Sequence, residues 1–316
     1  MTTPDFEPQL SVDLAVEGLQ VGSFNVPLAT SDQPLREHQT PLWVMRQGEG
    51  PVVCVVSGMQ SGDVTGTTVL QSLLKNLDPK HIKGTLILCP SFVPAQAQNH
   101  LTADQYDYIK HAFTDEVLHA ADIIIEIGSG AHNVVNTPHA SVWPSEDHEK
   151  NTLAEEIMIA CGAPDSVRRF DPAHPSSLAS IAEQIDTTFI RLDLGRYSST
   201  DKMSRLMGIS ALRNALLQIG VLSEGHFDLN STRMLEVSKP SCRVSTPVSG
   251  LVHWHVEVGG AVHMGNPIAE IVDPQLPFAE PVVINARMNG VLLSKIDTAL
   301  CSPGQWLAIV GDEVPR

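Results

Sequence analysis

Four short apolar runs constrain this chain more than anything else in it: "PVVCVVSG" (51–58), "GTLILCPSF" (84–92), "DIIIEIGSG" (122–130) and "TTFIRLDLG" (187–195). Each is rich in β-branched residues, too short to be a buried helix, and closes on glycine or proline. Strands that are apolar on both faces need cover on both faces. The stretches "GTTVLQSLLKNL", "ADQYDYIKHAFTDEVLHAA", "SEDHEKNTLAEEIMIACG", "SSLASIAEQI" and "KMSRLMGISALRNALLQIG" carry the helical spacing that supplies it. With a further short strand at "SVRRF", this alternation predicts an α/β fold with a mostly parallel or mixed sheet flanked by helices. Residues 1–50 read as strands with turns, ending in a hairpin-like "LWVMRQGEGP".

After residue 232 the helical spacing stops, and short strands punctuated by Gly and Pro follow. "TPVSGLVHWHVEVGGAVHMGNPIAEIV" and "NARMNGVLLSKIDTALCSPGQWLAIVG" repeat one pattern, from a small-residue turn (Gly250, Gly290) through strands to a glycine turn (Gly265, Gly304). Two such halves predict an all-β, barrel-sandwich-like domain over 233–316, after an α/β domain over 1–232. Biotinyl and lipoyl carriers share this texture but present a lysine at a tight hairpin tip. "ARMNG" has none, which argues against a carrier.

The 316 residues carry a formal charge of −16, with no cluster of Lys or Arg. That balance excludes a phosphate-binding face and an acidic-membrane anchor, so neither nucleic acid nor membrane is an expected partner. Five cysteines without a CxxC pair suit a reducing compartment, and the amino terminus has no signal-like apolar core, so the cytoplasm is expected.

A loop at the carboxyl end of a parallel strand is where α/β proteins place their chemistry. Here "GMQSGDVTG" (58–66) offers only Gln60, Ser61, Asp63 and Thr65. This loop, the order of elements and three further segments resemble the succinylglutamate desuccinylase/aspartoacylase family, relatives of the zinc carboxypeptidases. The resemblance runs from "LWVMRQGEGPVVCVVSG" through the C-terminal β region. It implies a zinc-carboxypeptidase-like fold and, in the family, zinc-dependent hydrolysis of N-acyl amino acids. The family loop reads Gly-x-His-Gly-(Asp/Asn)-Glu-x-x-Gly, with His and Glu as zinc ligands. Gly58 and Gly66 match its ends, but Gln60 stands at the histidine and Asp63 at the glutamate. Against the second motif, Asp-Leu-His-(Thr/Ser)-Gly, "EIGSG" begins at Glu126 and puts Gly128 at the third ligand. "TPHA" resembles the "PPHA" segment that follows. In the third motif, Thr-x-Glu-x-Gly, "RLDLG" puts Asp193 at the position of the catalytic base.

A catalytic zinc of this kind needs imidazole and carboxylate donors at close range. Glutamine is a poor neutral donor, glycine none, and Asp63 is one methylene short. No zinc or other cofactor is therefore expected unless the site is rebuilt from other residues. The family's Asn-Arg clamp for a substrate carboxylate is also missing: "CPSFVPAQAQNHLTADQYDYIKHAF" holds no arginine, and Lys110, the nearest cation, falls in a helical stretch.

A rebuilt metal centre would draw on His132, His139 and Asp63. Against it, His132 reads as a loop residue and His139 as the structural histidine of the "TPHA" segment, and this second reading is favoured. His253 and His255 share one strand face but have no third ligand beside them in sequence; solvated or stacked rings around Trp254 are expected. "LGRYSSTD" lacks a G-x-S-x-G elbow, and "GSGAHN" lacks a P-loop lysine.

The expected pocket thus comprises Gln60, Asp63, Glu126, Gly128, His132 and His139, with Asp193 a vestigial base. Three functions compete: a non-catalytic binding or assembly subunit, a hydrolase of N-acyl amino acids or related amides with an altered site, and a small-molecule sensor. A sensor of this kind would take a ligand in the old pocket, with Asp63, Glu126 and Asp193 favouring a positive one. A homo-oligomer, or a hetero-oligomer with a catalytic homologue, is expected. Trp254 and Trp306 would either line that interface or pack in the β region's own core.

Overall fold

The apolar runs lie side by side in the middle of a single large sheet. The computed structural model describes residues 7–30, 33–60, 62–94, 101–175, 177–227, 230–276 and 278–315. The first part of the chain runs β1 (Gln9–Leu10), β2 (Gly18–Thr30), β3 (Gln33–Gln47), β4 (Val52–Ser57), α1 (Thr65–Leu74), β5 (Gly84–Cys89), α2 (Ala103–Glu116), β6 (Ile123–Gly128), β7 (Val134–Asn136), β8 (His139–Val142), α3 (His148–Ala160), β9 (Asp165–Arg169), α4 (Leu178–Gln184), β10 (Thr188–Asp193) and α5 (Lys202–Ile219). The central order is β3-β5-β4-β6-β10-β8-β9. β5, β4, β6 and β10 are mutually parallel, and β8 runs antiparallel to β10.

The segment "LWVMRQGEGP" is not a hairpin. Trp43–Gln47 pairs with β5, and β4 lies on the far side of β5. β4 is apolar on both faces, so its stable place is the sheet interior, and residues 48–51 cross over to reach it. The hairpin partner of β3 is β2.

Strand alternation sends residues of β4, β6 and β10 into two cores. On one face Val53, Val55, Ile125, Ile127, Ile190 and Leu192 pack under α1, α3 and α5. On the other, Cys54, Val56, Ile87, Cys89, Ile124 and Phe189 pack under α2 and α4, where Phe113 contacts Phe24 and Phe92 edge-on at 5.6 and 5.2 Å. Cys54 sits fully buried as a small apolar residue, and burial pushes its thiol up to about 12. Among the described residues, no helix is long and apolar enough to cross a membrane.

The last part comprises β11 (Arg233–Val237), β12 (Arg243–Ser245), β13 (Gly250–Trp254), β14 (Ala261–Val262), β15 (Pro267–Val272), β16 (Val282–Asn285), β17 (Gly290–Ile296), β18 (Leu300–Cys301) and β19 (Trp306–Glu313). β11 pairs in parallel with β9 and antiparallel with β19, so the large sheet continues through residue 232 into β17 and β14. A second antiparallel sheet, β16-β15-β13-β18, joins it around a shared core that includes Val252, Ile268, Leu292 and Leu307. Trp254 and Trp306, both half-buried, pack against this core. The repeat has a steric basis. Gly250 and Gly290 share φ 156°, and a Cβ would lie 2.5 Å from the Val272 carbonyl oxygen and 2.1 Å from that of Gly311.

Candidate functional site

The register levels the ends of three strands, with Asp193 of β10 opposite Gly128 of β6 and Ser57 of β4 opposite Ile127. The chain leaves β4 through Gly58, whose φ of 69° suits glycine. It enters α1 through Gly66, where a Cβ would stand 2.3 Å from both the Ile127 carbonyl and the Ser57 hydroxyl oxygen. These two glycines thus have geometric reasons to be glycine whether or not the loop does chemistry. Between them, the Gln60 carbonyl accepts from the Asp63 N–H at 3.1 Å, and Ser61 lies outside the described residues.

Asp63 is buried, and both of its carboxylate oxygens accept backbone N–H groups. Oδ1 takes Thr65 at 3.0 Å, at the start of α1, and Oδ2 takes Ser129 at 2.9 Å, just beyond β6. The side chain therefore ties the loop to the end of the neighbouring strand. A Cβ on Gly128 would sit 3.0 Å from Asp63 Oδ2, in the space a histidine side chain would have to leave through.

Asp193 is equally buried and equally occupied. Its Oδ1 accepts the Gly195 N–H at 3.0 Å, and its Oδ2 accepts the Asn136 amide at 2.7 Å. Asn136 is itself held from the β region, where the Ser294 hydroxyl donates to its Oδ1 at 2.6 Å. β7, which carries Asn136, pairs with β17, which carries Ser294.

Arg191 is the residue that sequence reasoning passed over. Two positions before Asp193 on β10, it points from the same face of the sheet and lies opposite Glu126 of β6. Its Nη1 pairs with the Glu126 carboxylate, its Nη2 donates to the Ser129 carbonyl at 2.9 Å, and it stands 3.6 Å from Asp193 Oδ2. Burial alone would lower its pKa, but the Glu126, Asp193 and Asp63 carboxylates outweigh burial and raise it. An arginine in a strand buried on both faces signals a buried anion. Only the strand register says which.

The histidines stay apart. His139 is buried opposite Asp193 in the β8–β10 ladder, and its Nδ1–H donates to the Thr137 carbonyl at 2.8 Å. Burial lowers its pKa despite the neighbouring Asp193, so it is a neutral, structural ring. His132 is exposed and stands edge-on to Tyr197 at 5.0 Å. Among the described residues, no three His, Cys, Asp or Glu side chains are arranged to hold a metal. His253 and His255 are exposed and share Glu270, at 3.4 and 3.8 Å. Lys110 is buried and pairs with Asp107 at 2.9 Å, and residues 95–100 of the arginine-free segment lie outside the described residues.

The residues at the strand ends do not fit a zinc centre of the family type. Gly128 has no donor, the Asp63 oxygens are taken by backbone N–H groups, and a guanidinium stands among the remaining carboxylates.

No protein-family model matches the chain. It is 23% identical to the N-alpha-acetyl-L-2,4-diaminobutyric acid deacetylase of Halomonas elongata, over 96% of this chain and 94% of that protein. Among solved structures, it superposes on the product-bound ectoine utilization protein EutE (DoeB) from Ruegeria pomeroyi with a TM-score of 0.85 at 23% identity, covering 96% and 98% of the two chains. On the succinylglutamate desuccinylase/aspartoacylase from Rhodobacter sphaeroides the TM-score is 0.87 at 21% identity, covering 98% and 100%. The chain thus has the fold of the succinylglutamate desuccinylase/aspartoacylase proteins, and it is similar from end to end to a deacetylase.

Proposed function

We propose that this protein keeps the desuccinylase/aspartoacylase fold as a non-catalytic binding or assembly subunit and carries no zinc. The observation that supports this most directly is the state of Asp63 and Asp193. All four of their carboxylate oxygens accept hydrogen bonds from fixed donors. A general base must reach a substrate-bound water, and a metal ligand must turn an oxygen toward the ion. Each oxygen keeps a second lone pair, but these four bonds fix both side chains in place, so turning either one toward an ion or a water strains a bond that holds the site together. The old pocket then serves a small ligand. A cationic one, which three carboxylates alone would attract, meets Arg191 first, so a neutral ligand suits the pocket better.

The second reading is hydrolysis of an N-acyl amino acid or related amide, and the full-length similarity to a deacetylase supports it. One experiment separates the two. The purified protein is analysed for zinc and assayed, with and without added zinc, for release of acetate from N-acetyl-2,4-diaminobutyrate and N-acetylaspartate and of succinate from succinylglutamate. Substoichiometric zinc and no turnover are expected. One zinc per chain together with turnover, both lost in Asp63→Ala, would establish the hydrolase instead.

A further inference from the structure

We infer that Arg191 is the resident cation of this site, a guanidinium that fills the electrostatic role of a metal ion and closes the strand ends to divalent cations. The inference stands on the groups around it and holds whether the pocket binds a ligand or a partner.

Three oxygen groups face the guanidinium from three directions. The Glu126 carboxylate pairs with Nη1, the Ser129 carbonyl accepts from Nη2 at 2.9 Å, and Asp193 Oδ2 lies at 3.6 Å. Two carboxylates and a main-chain carbonyl around one guanidinium are oxygen donors of the kinds that a hard divalent ion such as Mn²⁺ or Ca²⁺ takes as ligands. The acids are strongly buried: the Glu126 side chain is 8% exposed and that of Asp193 is 3%. Burying two carboxylates this deep is costly without a compensating charge. Arg191 supplies it from within the same strand, and its planar fork matches the carboxylate of Glu126. A chain without a metal-binding histidine at position 128 can therefore keep the acidic strand ends only because position 191 holds a permanent cation. The two features belong to one arrangement.

The test uses the full-length protein. Mn²⁺ and Ca²⁺ binding are measured by equilibrium dialysis for the wild type, Arg191→Met, Arg191→Lys and the double variant Arg191→Met/Glu126→Gln. The wild type and Arg191→Lys are expected to bind neither ion at this site. Arg191→Met is expected to bind Mn²⁺ at least about tenfold more tightly than the wild type, and the double variant to lose that gain. If Arg191→Met folds incompletely, Mn²⁺ must raise its melting temperature where an equal ionic strength of Na⁺ does not. Either of two results overturns the inference: Mn²⁺ binding by the wild type that Asp193→Asn abolishes, or an Arg191→Met protein that Mn²⁺ neither binds nor stabilises.

Discussion

Gly128 is the position where the cost of adding a side chain at the strand ends can be weighed in energy. A methyl group placed there would meet Asp63 Oδ2 at 3.0 Å, about 0.4 Å inside an ordinary carbon–oxygen contact. The Gly128 φ is not in the left-handed region, so the cost of Gly128→Ala comes from that contact and not from the backbone. To relieve it, Oδ2 must retreat and lengthen its bond to the Ser129 N–H from 2.9 Å to about 3.3 Å, beyond the normal range. A hydrogen bond to a charged group contributes about 1.5–3 kcal/mol, so losing much of it costs about 1–2 kcal/mol. Against this stands the gain of about 0.5–1 kcal/mol when a strand glycine becomes alanine, leaving a net loss of about 1 kcal/mol.

A double-mutant cycle separates these effects. Asp63→Ala alone leaves two buried N–H groups without acceptors, at about 1–3 kcal/mol each. In that background the steric partner of residue 128 is gone, so adding Gly128→Ala is expected to be neutral or slightly stabilising. Urea midpoints read by circular dichroism measure all four corners, and a coupling of about 1–2 kcal/mol is expected. If Gly128→Ala costs the same with and without Asp63, or costs nothing, the carboxylate does not guard the space that a ligand at 128 would need.

Gly66→Ala, whose Cβ would lie 2.3 Å from the Ile127 carbonyl, is expected to cost about 3 kcal/mol or more, seen as a collapse in soluble yield or in the urea midpoint. Burial lowers the pKa of His139, and it lowers that of His38 even though His38 lies within hydrogen-bonding range of the Phe92 carbonyl oxygen, so the unfolded chain takes up protons first as pH falls. Stability is therefore full above about pH 6.5 and declines as pH drops from there toward the folded values, and His139→Gln should flatten that decline between pH 7.5 and 5.5. Gln60→His/Asp63→Glu/Gly128→His combined with Arg191→Met, which removes the resident cation, is expected to gain zinc by elemental analysis without hydrolysing N-acetylaspartate or succinylglutamate, since no arginine clamp positions the substrate; robust turnover would show that the pocket recognises more than its sequence suggests.

What could be read in the sequence divides along a physical line. The central strands were legible because a run apolar on both faces has one place to go, the interior of a covered sheet. The loop between β4 and α1 was legible because Gly58 and Gly66 bracket it, each required by geometry, by a φ of 69° in one case and a 2.3 Å approach in the other. The "LWVMRQGEGP" segment misled because a Gly-rich turn between two strands looks the same whether the strands pair directly or admit a third between them. Arg191 was plainly visible, yet its meaning was not, because its partner Glu126 lies 65 residues away and only the parallel register of β10 with β6 sets them face to face.

The same limit hid the support of Asp193. Asn136 reaches it across 57 residues, and Ser294 reaches Asn136 across 158, from a part of the chain with a different texture. That link bears on what the β region does. Asp193 is fixed by Gly195, Asn136 and the nearby Arg191, with Ser294 behind Asn136. The Asn136 contact that holds Asp193 is also part of the link between β7 and β17. Asp193 is thus linked through Asn136 and Ser294 to the β region, which gives a structural reason for a carboxylate at this position whether or not it takes part in chemistry.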